Sequence, residues 1–196
     1  LRTSLQNFIY VDKTKNIYNL ITSGQVYFLS RPRRFGKSLL CSTLIALFQA
    51  KRELFKDLWI DQSDWQWEQY PVLHFDFSRI EHSTPEILLE HLVIRLQSFA
   101  QAHNITFPTS LNRPAVMLDY LNTQLAQKKR VVIIVDEYDK PIIDHLETPE
   151  IAKKIRDTLR EFYTTIKALD DCLLFVFITG VSKFSKTSIF SGRMAR

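Results

Sequence analysis

Glycine is scarce in this chain, with four residues in 196, and it stands beside seven prolines and two cysteines. That scarcity excludes low-complexity linkers and collagen-like repeats. Cys41 and Cys172 lie far apart in apolar runs and lack C-x-x-C spacing. They read as small buried hydrophobes in a reducing, cytoplasmic compartment. Long apolar runs are also missing: none approaches the roughly 18 residues a membrane helix needs. The N-terminal LRTSLQNFIYVDK has no apolar core of signal-peptide length, and it does not begin with methionine. The chain is therefore expected to be a piece of something longer.

What is present belongs to an ordinary globular protein, with 45% apolar and 24% charged residues. The length suits one domain with a proper core. The net charge, 26 − 21 = +5, is compatible with an anionic ligand or nucleic acid. Much of it is local, at Arg31, Arg33, Arg34 and Lys37, at Lys128, Lys129 and Arg130, and at Lys153, Lys154 and Arg156. The last two groups read as solvated faces. Five histidines (His74, His82, His91, His103, His145) show no metal-ligand spacing and read as structural or surface residues.

Apolar patterning predicts strands over 26–29, 73–77, 131–136 and 173–179, the last two apolar on both faces. Such strands sit in the middle of a parallel sheet covered on both sides. Helices are predicted over 38–50, 85–102, 115–127 and 149–169. Strands alternating with helices imply an α/β layered domain with right-handed crossovers. In the connection over 59–68, Trp59, Trp65 and Trp67 are expected to be packing residues.

The chemistry concentrates in FLSRPRRFGKSLL, residues 28–40. Gly36-Lys37-Ser38 closes a G-x-x-x-x-G-K-[ST] loop, but its opening glycine position holds Arg31. Context supports a phosphate loop: a strand precedes it, a helix comes after it, and a second apolar strand ends in Asp136-Glu137. Backbone N–H groups and the helix N-terminus would surround phosphate oxygens, and Gly36 would let the backbone approach closely. The ligand-binding candidates are Arg33, Arg34, Phe35, Gly36, Lys37, Ser38 and Leu39. Lys37 would place its ammonium on the β- and γ-phosphates, and Ser38 and Asp136 would bind Mg²⁺. Glu137 has the position of a general base for the attacking water. Thr179, ending the 173–179 strand, either touches the γ-phosphate and the lytic water or caps its own turn.

These residues also carry a resemblance. YVDKT (10–14), FLSRPRRFGKSLL, YPVLHFDFS (70–78), VVIIVDEYDKPI (131–142) and ITGVSKFSKTSIFSG (178–192) resemble the bacterial AAA-ATPase-like family over nearly the whole chain. The resemblance implies that Arg31 is the family's normal variant of the loop. It implies a three-layer P-loop NTPase of the additional-strand type, with a mostly parallel central sheet, helices on both faces, and the 173–179 strand between the loop strand and the 131–136 strand. It implies ATP and Mg²⁺ as cofactors and ATP hydrolysis as the activity. In family members such a core commonly precedes a PD-(D/E)xK nuclease-like domain. The family usually continues with Leu-Asn-Asn-Leu after Ser191-Gly192, whereas this chain ends in Arg193-Met194-Ala195-Arg196. Residues 1–196 are thus expected to be a single ATPase-like domain truncated at its C-terminus, with oligomerisation open.

Two alternatives stay open: a nucleotide-binding switch with little hydrolysis, and a basic nucleic-acid-binding module. The second lacks the aromatic-basic interleaving of an RNA-recognition motif. A nuclease reading fails on spacing, because Tyr138 stands where the (D/E)-x-K pattern around Asp139-Lys140 would need an acid.

Overall fold

In the computed structural model, residues 10–182 are described; residues 183–192 of the last family string and the tail at 193–196 lie outside them. Four parallel strands form one sheet: β1 (Val26–Ser30), β2 (Val72–Asp76), β3 (Val131–Asp136) and β4 (Leu173–Gly180). Their spatial order is β1-β4-β3-β2, so the 173–180 strand lies between the loop strand β1 and β3, where the resemblance places it.

The strand sequences explain the layering. Successive side chains of a strand point to opposite faces. In β3, Val131, Ile133 and Val135 pack on one side, while Val132 and Ile134 pack on the other. All six β3 residues are buried, which an all-apolar β-branched run tolerates and an alternating one would not. Each such side chain contributes about 1.5–3 kcal/mol by leaving water.

Helices α3 (Pro85–Ala102), α4 (Pro114–Ala126) and α6 (Pro149–Ala168) cover the Val131 face. Each begins with proline, whose missing N–H costs nothing at a first-turn position. Thr84 caps α3 by accepting from the Ile87 N–H at 3.3 Å. Helix α6 shows its buried stripe as Ile155, Leu159, Phe162, Tyr163 and Ile166. The opposite face is covered by α1 (Thr14–Ser23) and α2 (Lys37–Phe48).

Two α-helices have no counterpart in the sequence pattern, α1 and the short helix α5 (Lys140–Ile143), nor do three short 3-10 turns. Elsewhere the expected elements stand within about two residues of their bounds. The aromatic connection packs as expected at Trp65 and Trp67, which lie against Phe48 (5.9 Å) and Phe55 (5.3 Å). Trp59 is more open and meets Tyr18 edge-on at 5.5 Å. Cys41 is buried as expected, but Cys172 is only half-buried, because it sits in the turn that leads into β4.

Candidate functional site

The candidate loop leaves the C-terminal end of β1 and enters α2. Arg31 to Gly36 are all exposed, and Lys37 is the first buried residue after them. Gly36 has φ +74 and caps α2. A Cβ on Gly36 would meet no atom within 4 Å, so the position needs glycine for its left-handed backbone rather than for space. Arg34 also has a left-handed φ, +67, without the freedom of glycine. The Leu40 N–H already bonds the Gly36 carbonyl at 3.0 Å, which leaves the N–H groups of the preceding helical turn facing outward from the helix end.

Lys37 is 6% exposed, and its Nζ donates to the carbonyls of Arg31 (2.9 Å) and Pro32 (3.0 Å). Among the described residues it has no acidic partner. A buried ammonium held only by carbonyls retains attraction for an anion. The surroundings add to it: between Asp12 and Glu53 the chain contains no acidic residue, while Lys13, Lys15, Arg31, Arg33 and Arg34 accumulate there. Arg33 and Arg34 are solvent-exposed.

The acidic end lies at the C-termini of β3 and β4. Asp136 is 3% exposed, and its Oδ1 accepts from the hydroxyl of the fully buried Thr179. The same hydroxyl accepts from the Glu137 N–H at 3.3 Å, and the Thr179 carbonyl accepts from the Tyr138 N–H at 2.9 Å. Thr179 thus joins the ends of the two strands and orients the Asp136 carboxylate. Glu137 is half-buried with φ +55. A left-handed glutamate is uncommon and persists where its surroundings over-determine it. Here the Thr179 bonds on either side of Glu137 hold it.

Helix α2 bridges the two ends. Cys41, one turn beyond Lys37, lies beside Asp136 and Thr179; burial pushes its thiol far up, and the Asp136 charge pushes it further. Helix α2 thus passes the ends of β3 and β4 at Cys41, one turn after the loop. Asp76 ends β2 in register with Asp136, but its Oδ1 is taken by the Ser78 N–H at 3.0 Å and by the Ser78 hydroxyl.

Sequence reasoning gave Gly180 no role and did not see the structural role of Asp139, which it weighed only in a rejected nuclease spacing and as a fallback for the base. Asp139 is 1% exposed, and its Oδ2 accepts from the N–H groups of Val181 (3.0 Å) and Ser182 (2.6 Å) and from the Ser182 hydroxyl. This ties the segment after β4 to the turn that carries Glu137. A Cβ on Gly180 would lie 2.3 and 2.4 Å from Tyr138 ring atoms and 2.8 Å from Asp139 Oδ1. Only the missing side chain allows that approach. No local sequence signal marks either residue, since their partners lie about forty positions away.

A family model described as "Predicted AAA-ATPase" matches residues 2–190. The chain belongs to this AAA-ATPase-like family. It is also 43% identical over 187 residues to an uncharacterized protein in the vnfD 5′ region of Azotobacter chroococcum mcd 1, a match covering 95% of this chain and 36% of that protein. The chain thus spans about a third of that relative's length. No solved structure matches. Membership fits an ATP-binding, ATPase-like chain, and no described helix is long and apolar enough to cross a membrane.

Proposed function

We propose that this chain is a P-loop ATPase module of the additional-strand type that binds Mg-ATP and hydrolyses it to ADP and phosphate. The observation that supports the reading is the arrangement about β4: the loop with its basic, acid-free helix N-terminus leaves β1 on one side of β4, and the buried Asp136–Thr179 pair joins the ends of β3 and β4. The donor set fits the ligand. Ser38 and Asp136 offer the hard oxygen atoms that Mg²⁺ takes, and Lys37 is a buried cation without an acidic partner among the described residues.

In this reading the exposed N–H groups of the α2 turn and the Lys37 ammonium hold the β- and γ-phosphates. Lys37 must turn from the Arg31 and Pro32 carbonyls to do so. Thr179 keeps Asp136 aimed and fixes the Glu137 backbone, and Glu137 takes the proton of the attacking water as that water attacks the γ-phosphorus. Bound Mg²⁺ supplies charge neutralisation at the phosphate oxygens. Asp139 holds the segment after β4 through its Oδ2, and its buried Oδ1 has no hydrogen-bond partner among the described residues. Arg33, Arg34, Phe35 and Leu39 complete the ligand-facing surface.

The longer relative supports a module that serves a larger protein. Its task there would be conformational or DNA-related, with a nuclease-like domain as its neighbour in the arrangement that the resemblance implies. A slow nucleotide switch is the second reading, favoured by Lys37 being tethered to its own loop. Glu137→Gln separates outcomes. The amide keeps the size of the carboxylate but accepts no proton, so Mg-ATP binding should persist while turnover falls about 10²–10⁴-fold. Substantial turnover that is equal in the variant and the wild type would remove Glu137 from the role, and Mg-ATP binding with negligible turnover in both proteins would favour the switch.

A further inference from the structure

A groove of about 560 Å³ runs between α1 and the first turns of α2, and Gly36 forms part of its wall. Its other walls include Val11, Ile17, Leu20, Phe35 and Leu39. Val11 and Phe35, at 67% and 69%, are the two most exposed large hydrophobic residues among those described, and Leu39 is 49% exposed. Three solvent-facing apolar side chains thus converge on one groove. Scattered exposed hydrophobes need no explanation; a convergent set does.

The groove is fixed rather than a gap between loose parts. The Asp12 carboxylate accepts from the Thr14 N–H (2.8 Å) and hydroxyl (2.7 Å), and its other oxygen accepts from the Trp59 N–H at 2.7 Å. The Thr14 hydroxyl in turn accepts from the Ile60 N–H at 3.1 Å. These bonds anchor the start of α1, and with it the wall that Ile17 and Leu20 provide. On the other side, Thr43 ties into α2 by donating to the Leu39 carbonyl at 2.8 Å.

We infer that this groove is the seat of the nucleobase, with Phe35 as its stacking face. The inference rests on the ATP-binding reading above and extends it from the phosphates to the base, with Phe35 of the loop joined by Val11 and by residues of α1. A base has flat apolar faces and a polar edge, and it suits a mostly apolar cleft with few polar groups. The groove provides Phe35, Leu39 and Val11 for the faces, and Asn16, whose side-chain amide both donates and accepts, for the edge. Gly36 belongs both to the groove and to the cap of α2, so a ligand in the groove leads directly onto the helix end that would hold its phosphates. A second ligand chemistry, an acyl chain or a free aromatic ring, would not use that continuity.

The test is calorimetry on the 196-residue chain with Mg-ATP and with Mg-tripolyphosphate, which carries the phosphates and no base. The wild type should bind ATP about tenfold tighter or better, the size expected for stacking one base on one aromatic ring. Phe35→Ala and Leu39→Ala, both uncharged changes at exposed positions, should erase that difference and leave tripolyphosphate affinity unchanged. Equal wild-type affinity for the two ligands would overturn the base seat while the phosphate loop stands. Binding of neither ligand would overturn the loop reading and this inference together. Variants that keep the wild-type melting temperature yet weaken both ligands equally would assign Phe35 and Leu39 to the phosphate loop, and would also overturn the seat.

Discussion

The two ends of the candidate site are built in opposite ways. At the end of β1 the loop is exposed and basic, and its brace is Lys37 on two of its own carbonyls. At the ends of β3 and β4 nearly everything is buried: Asp136, Asp139 and Thr179 are at most 3% exposed, and each has a hydrogen-bond partner in place. β4 connects them, since its Gly180 carbonyl accepts from the Arg31 N–H at 3.1 Å and the Ser30 hydroxyl donates to the Val181 carbonyl at 3.1 Å. The contrast separates two tasks. A binding end gains from uncompensated charge awaiting an anion, whereas an end that orients a reaction gains from dipoles fixed in advance.

The sharpest way to break this comparison is Lys37→Ala. Losing a charge-assisted contact of about 1.5–3 kcal/mol should weaken Mg-ATP binding by about 10- to 100-fold in calorimetry. Because the same ammonium braces Arg31 and Pro32, the loop should also become more susceptible to protease while the sheet keeps its melting temperature. An unchanged affinity in a folded variant would show that the open end is not a ligand site at all.

Gly180→Ala attacks the buried end without touching the loop's charges. Its new methyl would overlap the Tyr138 ring, and overpacking of this kind costs about 1–3 kcal/mol. Thermal melting should report that loss. Tyr138 and Asp139 flank the site on the side of Glu137, so turnover should fall while Mg-ATP binding survives. If binding and turnover fell together, the two ends would not be separable through β4 in the way their geometry suggests.

The legibility of the two ends in the sequence differs for the same physical reason. The loop is a local object: Gly36, Lys37 and Ser38 are adjacent, and strand, turn and helix succeed one another along the chain. The doubly apolar runs of β3 and β4 are local as well, which is why the sheet's inner strands are readable, while their order comes from the resemblance. The buried end is assembled across about forty residues, from Asp136 to Thr179 and from Asp139 to Ser182. No periodicity encodes those bonds, nor the left-handed φ of Glu137. Helix α1 escapes the sequence pattern for another reason. Ile17, Leu20 and Ile21 have helical spacing, but its start is fixed by Asp12 reaching Trp59, a contact that only the fold supplies.

The smallest expected effect sharpens the comparison instead of breaking it. Arg33 and Arg34 are exposed, so their attraction for an anion acts through water and is screened within about 10 Å at 0.1 M salt. Single exposed charges contribute about 0.2–1 kcal/mol. Arg33→Ala and Arg34→Ala should therefore each weaken Mg-ATP binding only about two- to fivefold at low salt, and less at about 0.5 M. Lys37 is buried, and its contribution should persist as salt rises. The measurement is a pair of affinity titrations at two ionic strengths for wild type and each variant. A salt dependence identical in all three would assign both arginines to solvated surface. Loss of the entire salt dependence in Arg34→Ala alone would single out Arg34, whose left-handed backbone would then serve to present its guanidinium to the phosphates.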